Sequence, residues 1–134
     1  MLLTKRNEYA LQVMIMLARA GEDCQLPASL MAAQLRTTQA FMSKICQRLV
    51  RAKLVRARRG RGGGLALARP AHAVRVRDVF AAVDGAPVVS ECMVRGRCTH
   101  LLCPLFPVLG RLQKDLDRGL NGATLATLAR QTKK

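Results

Sequence analysis

Five residues in the middle of the chain, Gly60-Arg61-Gly62-Gly63-Gly64, constrain the fold more than any other stretch. Glycine at this density is unfavourable inside a helix or strand. It reads as a turn in which the backbone takes unusual angles or comes close to another surface. Residues 54–59 before it and Leu65-Ala66-Leu67-Ala68 after it have the length and composition of short strands, so the three together predict a β-hairpin. Immediately upstream, over about residues 39–52, Met42, Ile45, Cys46 and Leu49 recur at i, i+3, i+4 and i+7 and make one apolar helix face. Ser43, Lys44, Gln47, Arg48 and Arg51 occupy the rest of that cylinder. A shorter helix from Pro27 to about Leu35, with Leu30, Met31 and Leu35 inward, precedes it. Arg36-Thr37-Thr38 forms the break, and Thr37 or Thr38 can cap the helix that follows. Two helices around a tight turn, the second polar and basic outside, then a hairpin, make the winged helix-turn-helix pattern. A glycine run can also cradle a nucleotide phosphate, but here no Lys-Ser/Thr and helix follow it.

The remaining periodicity is helical. A first helix over about residues 7–20 buries Ala10, Met14, Leu17 and Ala18, flanked by Leu11 and Ile15, and Gly21 stops it. Another, over about residues 75–83, buries Val76, Val79, Phe80 and Val83. From Pro104, Leu105, Leu109, Leu112 and Leu116 follow a stripe that reaches about Leu120. Such a stripe fits packing against a twin helix or against the same subunit. A last short helix runs over about residues 124–130 before a basic tail. The expectation is one mainly α domain with a small β-hairpin wing and a long dimerisation helix. Its parts are a winged helix over about 1–85, a cysteine-bearing loop over 86–103, the dimerisation helix over 104–120, and a C-terminal helix and tail over 121–134.

Charge points to the partner. The 134 residues carry 23 Lys plus Arg against 8 Asp plus Glu, a formal charge of +15. Between Asp23 and Asp78 there is no acid, while 12 Lys or Arg fall in that stretch. A charge of this sign calls for a polyanion, nucleic acid first and an anionic membrane surface second. Half the residues are hydrophobic, which excludes a disordered basic tail. Arg58, Arg59 and Arg61 on a narrow hairpin suit a minor groove. One Tyr and three Phe are too few for single-strand recognition by base stacking, so duplex DNA is the expected partner. No run approaches the roughly 18 apolar residues of a membrane span. The N-terminus reads as an amphipathic helix, not a signal peptide, and a cytoplasmic location is expected. No nucleophile–base pairing or carboxylate dyad suggests an enzyme.

Three cysteines, Cys92, Cys98 and Cys103, stand as C-x5-C-x4-C. Thiols this dense in a reducing compartment hold zinc or an iron–sulfur cluster more often than they form disulfides. Zinc knuckles favour shorter spacings and a fourth Cys or His. A loose loop around a larger inorganic core fits better, with zinc, redox thiols and unliganded cysteines as the other readings. Cys46 falls on an apolar helix face and reads as a small core residue. Cys24 says nothing by itself, and His72 reads as a surface residue.

Several segments together, LTKRNEYALQVMIMLA, VRARRGRGGGLAL with the RP after it, VRVRDVFAAVDG, the three-cysteine loop and the closing NGATLATLA, resemble the IscR/NsrR/RirA (Rrf-two) family of bacterial iron–sulfur regulators. The resemblance covers nearly the whole chain. It implies a winged-helix homodimer on a pseudo-palindromic duplex operator. Operator binding would be governed by a 4Fe–4S or, less favoured, a 2Fe–2S cluster responding to redox state, nitric oxide or iron supply. It assigns Cys92, Cys98 and Cys103 as cluster thiolates. Some members add a His three residues after the last Cys, where this chain has Phe106, which cannot ligate. Others use a carboxylate of the first helix from the partner subunit, and Glu8 stands at the matching place, with His100 as the runner-up. The family's DNA readers match Thr38, Gln39, Phe41 and Ser43, with Lys44, Gln47 and Arg48 nearby. The alternative is a cluster-free winged-helix repressor switched by cysteine oxidation or a small molecule.

Overall fold

The computed structural model describes residues 4–97 and 103–131. The first helix, α1 (Lys5–Ala20), begins two residues earlier than its apolar periodicity predicts. The cause is Thr4, whose hydroxyl accepts the Asn7 amide at 3.2 Å and caps the helix ahead of its first apolar residue. Next come α2 (Ala28–Gln34) and α3 (Gln39–Arg51). Of the two candidate threonines Thr38 is the cap, accepting from the Phe41 amide at 3.2 Å. Arg36, between α2 and α3, has φ 54°, an angle unfavourable for any side chain but tolerated in so short a turn. The hairpin consists of β1 (Val55–Arg58) and β2 (Gly64–Leu67), antiparallel, with Val55 opposite Leu67 and Arg58 opposite Gly64.

A short 3-10 turn at Ala71–Ala73 leads into α4 (Val76–Asp84). The segment read as loop over 86–103 contains one short helix, α5 (Glu91–Arg95), started by the Ser90 hydroxyl and ended at Gly96 with φ 65°. A five-residue helix is too short to show apolar periodicity, so no pattern announces it. Then α6 (Leu105–Gly122) and α7 (Leu125–Arg130) complete the chain. Among the described residues no helix is long and apolar enough to cross a membrane.

The core is built around α1, with Ala10, Val13, Met14 and Leu17 facing Met31, Met42, Ile45, Leu49, Leu54, Val74, Val79 and Val83. Each such fully buried side chain contributes about 1.5–3 kcal/mol relative to exposure. The four expected inward residues of α3 and the four of α4 are all buried. In α2 the buried pair is Met31 and Ala32, whereas Leu30 faces outward at 41% exposure. Two turns of helix define a face poorly, and the small Ala32 lets α2 lie close to its neighbour α3.

Two long-range pairings lock this body. Leu26 exchanges both backbone hydrogen bonds with Leu65, at 2.9 and 2.8 Å, and fastens the hairpin to the segment before α2. A Cβ on Gly64 would lie 2.7 and 2.8 Å from the Leu26 carbonyl carbon and oxygen, so glycine is required there by close approach. At the other end α7 returns to the body: Leu125 is 1% exposed, and its amide bonds the Val74 carbonyl at 2.8 Å. The Arg19 guanidinium holds the carbonyls of Ala129 (3.1 Å) and Gln131 (2.7 Å). The last helix pair, α5 and α6, meets this body through α4, and no residue of α6 is buried.

Candidate nucleic-acid interface

The outer face of α3 carries the side chains expected to read DNA. Gln39, Lys44, Gln47 and Arg48 are exposed and Ser43 is half-buried. Two expected readers are also engaged within the protein. The Thr38 hydroxyl caps α3. Phe41 is half-buried with its ring edge-on to Tyr9 of α1, centroids 5.5 Å apart at 80°. Only part of that ring is left to meet a base. The Arg48 guanidinium donates to the Val83 carbonyl near the end of α4, where a cation is favoured. That bond ties the middle of α3 to α4 and leaves other N–H groups of the fork available.

The wing presents arginine outward. In β1 only Val55 is buried, and Arg56, Arg58, Arg59 and Arg61 are all exposed. Arg56 reaches the Glu22 carbonyl at 3.3 Å, which steadies the base of the hairpin. Between α3 and the hairpin runs a groove of about 410 Å³, lined by Cys46, Gln47, Val50, Arg51, Ala57 and Leu65. Reading helix and wing are therefore two sides of one basic surface. The Cys46 thiol at its floor is pushed up to about 11 by burial, so it is neutral and inert at physiological pH.

The cysteine arm meets the body through the packing of α6 against α4. Cys92 is a half-buried thiol in the first turn of α5, and Cys103 is half-buried just before α6. Cys98 and His100 lie outside the described residues. Among the described residues no three His, Cys, Asp or Glu side chains converge on a common point. Two soft donors of intermediate exposure flanking the segment that carries a third suit an iron–sulfur cluster by donor chemistry. Glu8 is exposed on the first turn of α1 and pairs with Lys5 at 3.1 Å, both side chains more than half exposed. His72 is on the surface, as its sequence context predicts.

One side chain without any periodic signal organises this arm. Gln113 of α6 accepts the Val89 amide at 2.8 Å and donates to the Pro87 carbonyl at 3.1 Å, pinning the approach to α5. It also donates to Asp117 at 3.1 Å, and Asp117 pairs with Arg77 of α4 at 2.7 Å. Arm, α6 and α4 are thus joined through one polar chain. A lone Gln in a leucine-striped helix has no signature that would reveal this role.

Comparison with known proteins agrees with this architecture. The sequence matches the family described as "Rrf2: Iron-dependent Transcriptional regulator" over residues 3–131. Protein aau3 of Rhizobium meliloti is 34% identical over 122 residues, 90% of this chain and 75% of that protein. HTH-type transcriptional regulator IscR of Vibrio parahaemolyticus is 29% identical over 129 residues, covering 96% of this chain and 77% of that one. Among solved structures, CymR, the global cysteine regulator of B. subtilis, superposes with a TM-score of 0.81 at 22% identity, covering 98% of each chain. The IscR of T. potens superposes with a TM-score of 0.77 at 19% identity, covering 98% of this chain and 93% of that one. The structural likeness establishes the winged-helix fold with its two-stranded hairpin, and the family is one of transcription regulators, not enzymes. The chain belongs to the Rrf2 family of iron-dependent transcriptional regulators.

Proposed function

We propose that this regulator binds a pseudo-palindromic duplex operator as a homodimer, and that an iron–sulfur cluster controls the binding. Cys92, Cys98 and Cys103 of one protomer and Glu8 of the partner subunit would hold that cluster. The observation that carries the reading is the contrast between a body with a complete core and α6, an 18-residue helix with no buried residue. Leu105, Val108 and Leu112 on α6 are 55%, 38% and 49% exposed, an apolar stripe that a second copy would cover. Pairing across α6 would set two reading heads about 34 Å apart, one turn of B-DNA.

On the duplex, phosphate contacts supply most affinity and base edges supply selection. Gln39 and Gln47 have the donor–acceptor pair that fits adenine N6 and N7, and the uncovered edge of Phe41 can meet a thymine methyl. Arg59 and Arg61 at the hairpin tip would enter the minor groove. When bound, the cluster supplies a centre that responds to oxidation, nitric oxide or iron loss. The chain's part is mechanical. The Lys5–Glu8 ion pair is exposed and worth at most about 1 kcal/mol, so it resists transfer of Glu8 to a ligand position only weakly. Because α1 packs on both α3 and α4, a tether at Glu8 acts on the reading heads, with an expected coupling of about 1–3 kcal/mol.

The test is anaerobic purification with visible absorbance and iron-to-sulfide ratio, for wild type, Cys98→Ala and Glu8→Ala, alongside binding to duplexes selected in vitro by the wild-type protein. Loss of the cluster in Cys98→Ala with a changed duplex affinity is the expected result. Cysteine-substituted protein that kept a full cluster would end the site assignment. Duplex binding indifferent to cluster loss would end the switch and leave the winged helix untouched. Colourless anaerobic wild type would favour the cluster-free thiol reading.

A further inference from the structure

Beside the reading helix, where α3 meets the start of α1, the structure holds a second basic feature. A half-enclosed cleft of about 440 Å³ opens between the N-terminus of α1 and the face of α3 that carries Phe41, Lys44, Ile45 and Arg48. Its lining includes four cations, Lys5, Arg6, Lys44 and Arg48, together with Thr4 and Phe41, and no acid. Arg6 is paired with Asp84 at 3.1 Å, and Asp84 also accepts the Thr4 hydroxyl, so this carboxylate is committed to fixing the start of α1. Lys5 pairs with Glu8 on the open surface. Arg48 is bonded to a neutral carbonyl, not to an acid. Beyond those partners, the positive charge of Lys44 and Arg48 remains uncompensated in the cleft. The start of α1 is itself already answered, the Asn7 amide by the Thr4 hydroxyl and the helix end by the Asp84 carboxylate, so the cleft's attraction for an anion rests on its side-chain cations.

Position decides what anion this is. Phe41 and Lys44 form one wall of the cleft and belong to the α3 segment that also carries Gln39 and Ser43. A helix seated in the major groove is flanked by the sugar–phosphate backbone on either side of a gap about 12 Å wide. With α3 seated in that way, a cleft between its flank and the neighbouring α1 would face the backbone beside the groove. We infer that the Thr4–Arg48 cleft seats a backbone phosphate of the duplex, with Lys5 and Lys44 as its mobile cations. This rests on the duplex-binding reading above but is independent of the cluster. It adds α1 to the DNA-contacting elements, and so places a DNA contact on the helix that bears Glu8.

A phosphate contact is blind to sequence, so a random duplex of about 30 base pairs suffices as the probe. The measurement is fluorescence anisotropy between about 50 and 200 mM salt for wild type, Lys5→Gln, Lys5→Arg and the remote control Lys114→Gln on α6. Each seated phosphate contributes about 0.9 to the slope of log affinity against log salt. Lys5→Gln is expected to lower the slope by about that amount per cleft, Lys5→Arg to keep it, and Lys114→Gln to leave it unchanged. An unchanged slope in Lys5→Gln, or the same change in Lys114→Gln, overturns the inference. A free anion is the other source of the same chemistry, and a thermal-shift titration with inorganic phosphate at fixed ionic strength separates the two. Saturable stabilisation that disappears in Lys5→Gln without any change in duplex binding would overturn the duplex assignment in favour of a small phosphorylated ligand. Absence of duplex binding in the wild type would instead sink the regulator reading itself.

Discussion

The two halves of this molecule are stabilised by different physics. The body, α1 to α4 with the wing and α7, has a continuous core in which eleven large side chains are less than 2% exposed. The arm, α5 and α6, has no buried residue in either helix, and among the polar contacts that fix it are the Arg77–Asp117 ion pair to α4 and the bonds of Gln113 to Pro87 and Val89. A part that must present side chains to base edges within fractions of an ångström needs a rigid platform. A part that reports a chemical change, as proposed for the arm, does better near the low-stability end of the structure. Under the proposed dimer, the division also explains why the uncovered apolar stripe sits on the arm, where a second copy would bury it.

The largest test of that contrast compares two leucines. Leu49 is fully buried beneath α3, and Leu112 is 49% exposed on α6. Leu49→Ala is expected to cost about 2–5 kcal/mol in urea unfolding, through lost transfer energy and a residual cavity. Leu112→Ala should change the unfolding of a dilute, monomeric sample by less than about 0.5 kcal/mol, yet raise the dimer dissociation constant measured by analytical ultracentrifugation. Equal losses in unfolding would mean that α6 packs into the body, and the contrast would fail.

A second test sets the body's thiol against the arm's. Burial raises Cys46 from 9.0 to about 11, so above pH 9 the unfolded chain gives up this proton while the folded one keeps it. The folded state then binds more protons, and stability falls as pH rises from about 9 to about 11. The loss should approach about 2–3 kcal/mol, since each pH unit between the folded and unfolded titrations is worth roughly 1.4 kcal/mol. Below pH 9 the contribution is fully present. Cys46→Val should flatten this alkaline limb relative to wild type in denaturant melts at stepped pH. Under native conditions near neutral pH, iodoacetamide should label Cys24 and Cys92 well before Cys46, as read by peptide mass. A Cys46 that labels with the exposed thiols would show that the body opens as readily as the arm.

What was legible in the sequence follows the same line. The faces of α3 and α4 and the hairpin could be read because they depend on local periodicity and on glycine, both of which are written within a dozen residues. The contacts that could not be read join residues far apart in the chain. Arg48 with the Val83 carbonyl, Leu26 with Leu65, and Arg19 with the end of α7 are separated by 35, 39 and 110 or more positions. Nothing local to either partner encodes such a pairing. The basic cleft is hidden for a related reason. Lys5 and Arg6 look like ordinary solvent-facing residues until α1 is laid beside α3. The clamp at Gln113 that positions the arm was not legible either, because one amide side chain carries no period.

A smaller effect concerns the joint between the halves. The Arg77–Asp117 pair is about one-third exposed on both sides, so its removal should cost no more than about 1 kcal/mol globally. Its local consequence should be larger. Arg77→Met is expected to speed amide hydrogen exchange at Val89, whose bond to Gln113 depends on the same polar chain, while exchange in α1 and α3 stays unchanged. Faster exchange spread evenly over the body would show that the arm is not a separate unit.

The smallest expected effect lies in the turn of the reading motif. Arg36 stands at φ 54°, where a side chain costs about 1–2 kcal/mol, whereas the arm already has glycine at its comparable position, Gly96 at φ 65°. Arg36→Gly removes that cost but gives the unfolded chain more freedom, worth about 0.4–1 kcal/mol in the opposite direction. The balance favours the variant by about 0.5 kcal/mol, or about 2–3 °C in melting temperature for a chain of this size. Arg36 is exposed and lies inside the acid-free block, so the same change should weaken duplex binding even as the fold gains stability. Stability and affinity moving in opposite directions would mean that the body tolerates strain to keep a cation at its DNA-facing turn. If both rise together, Arg36 is simply an unfavourable turn residue with no part in the interface.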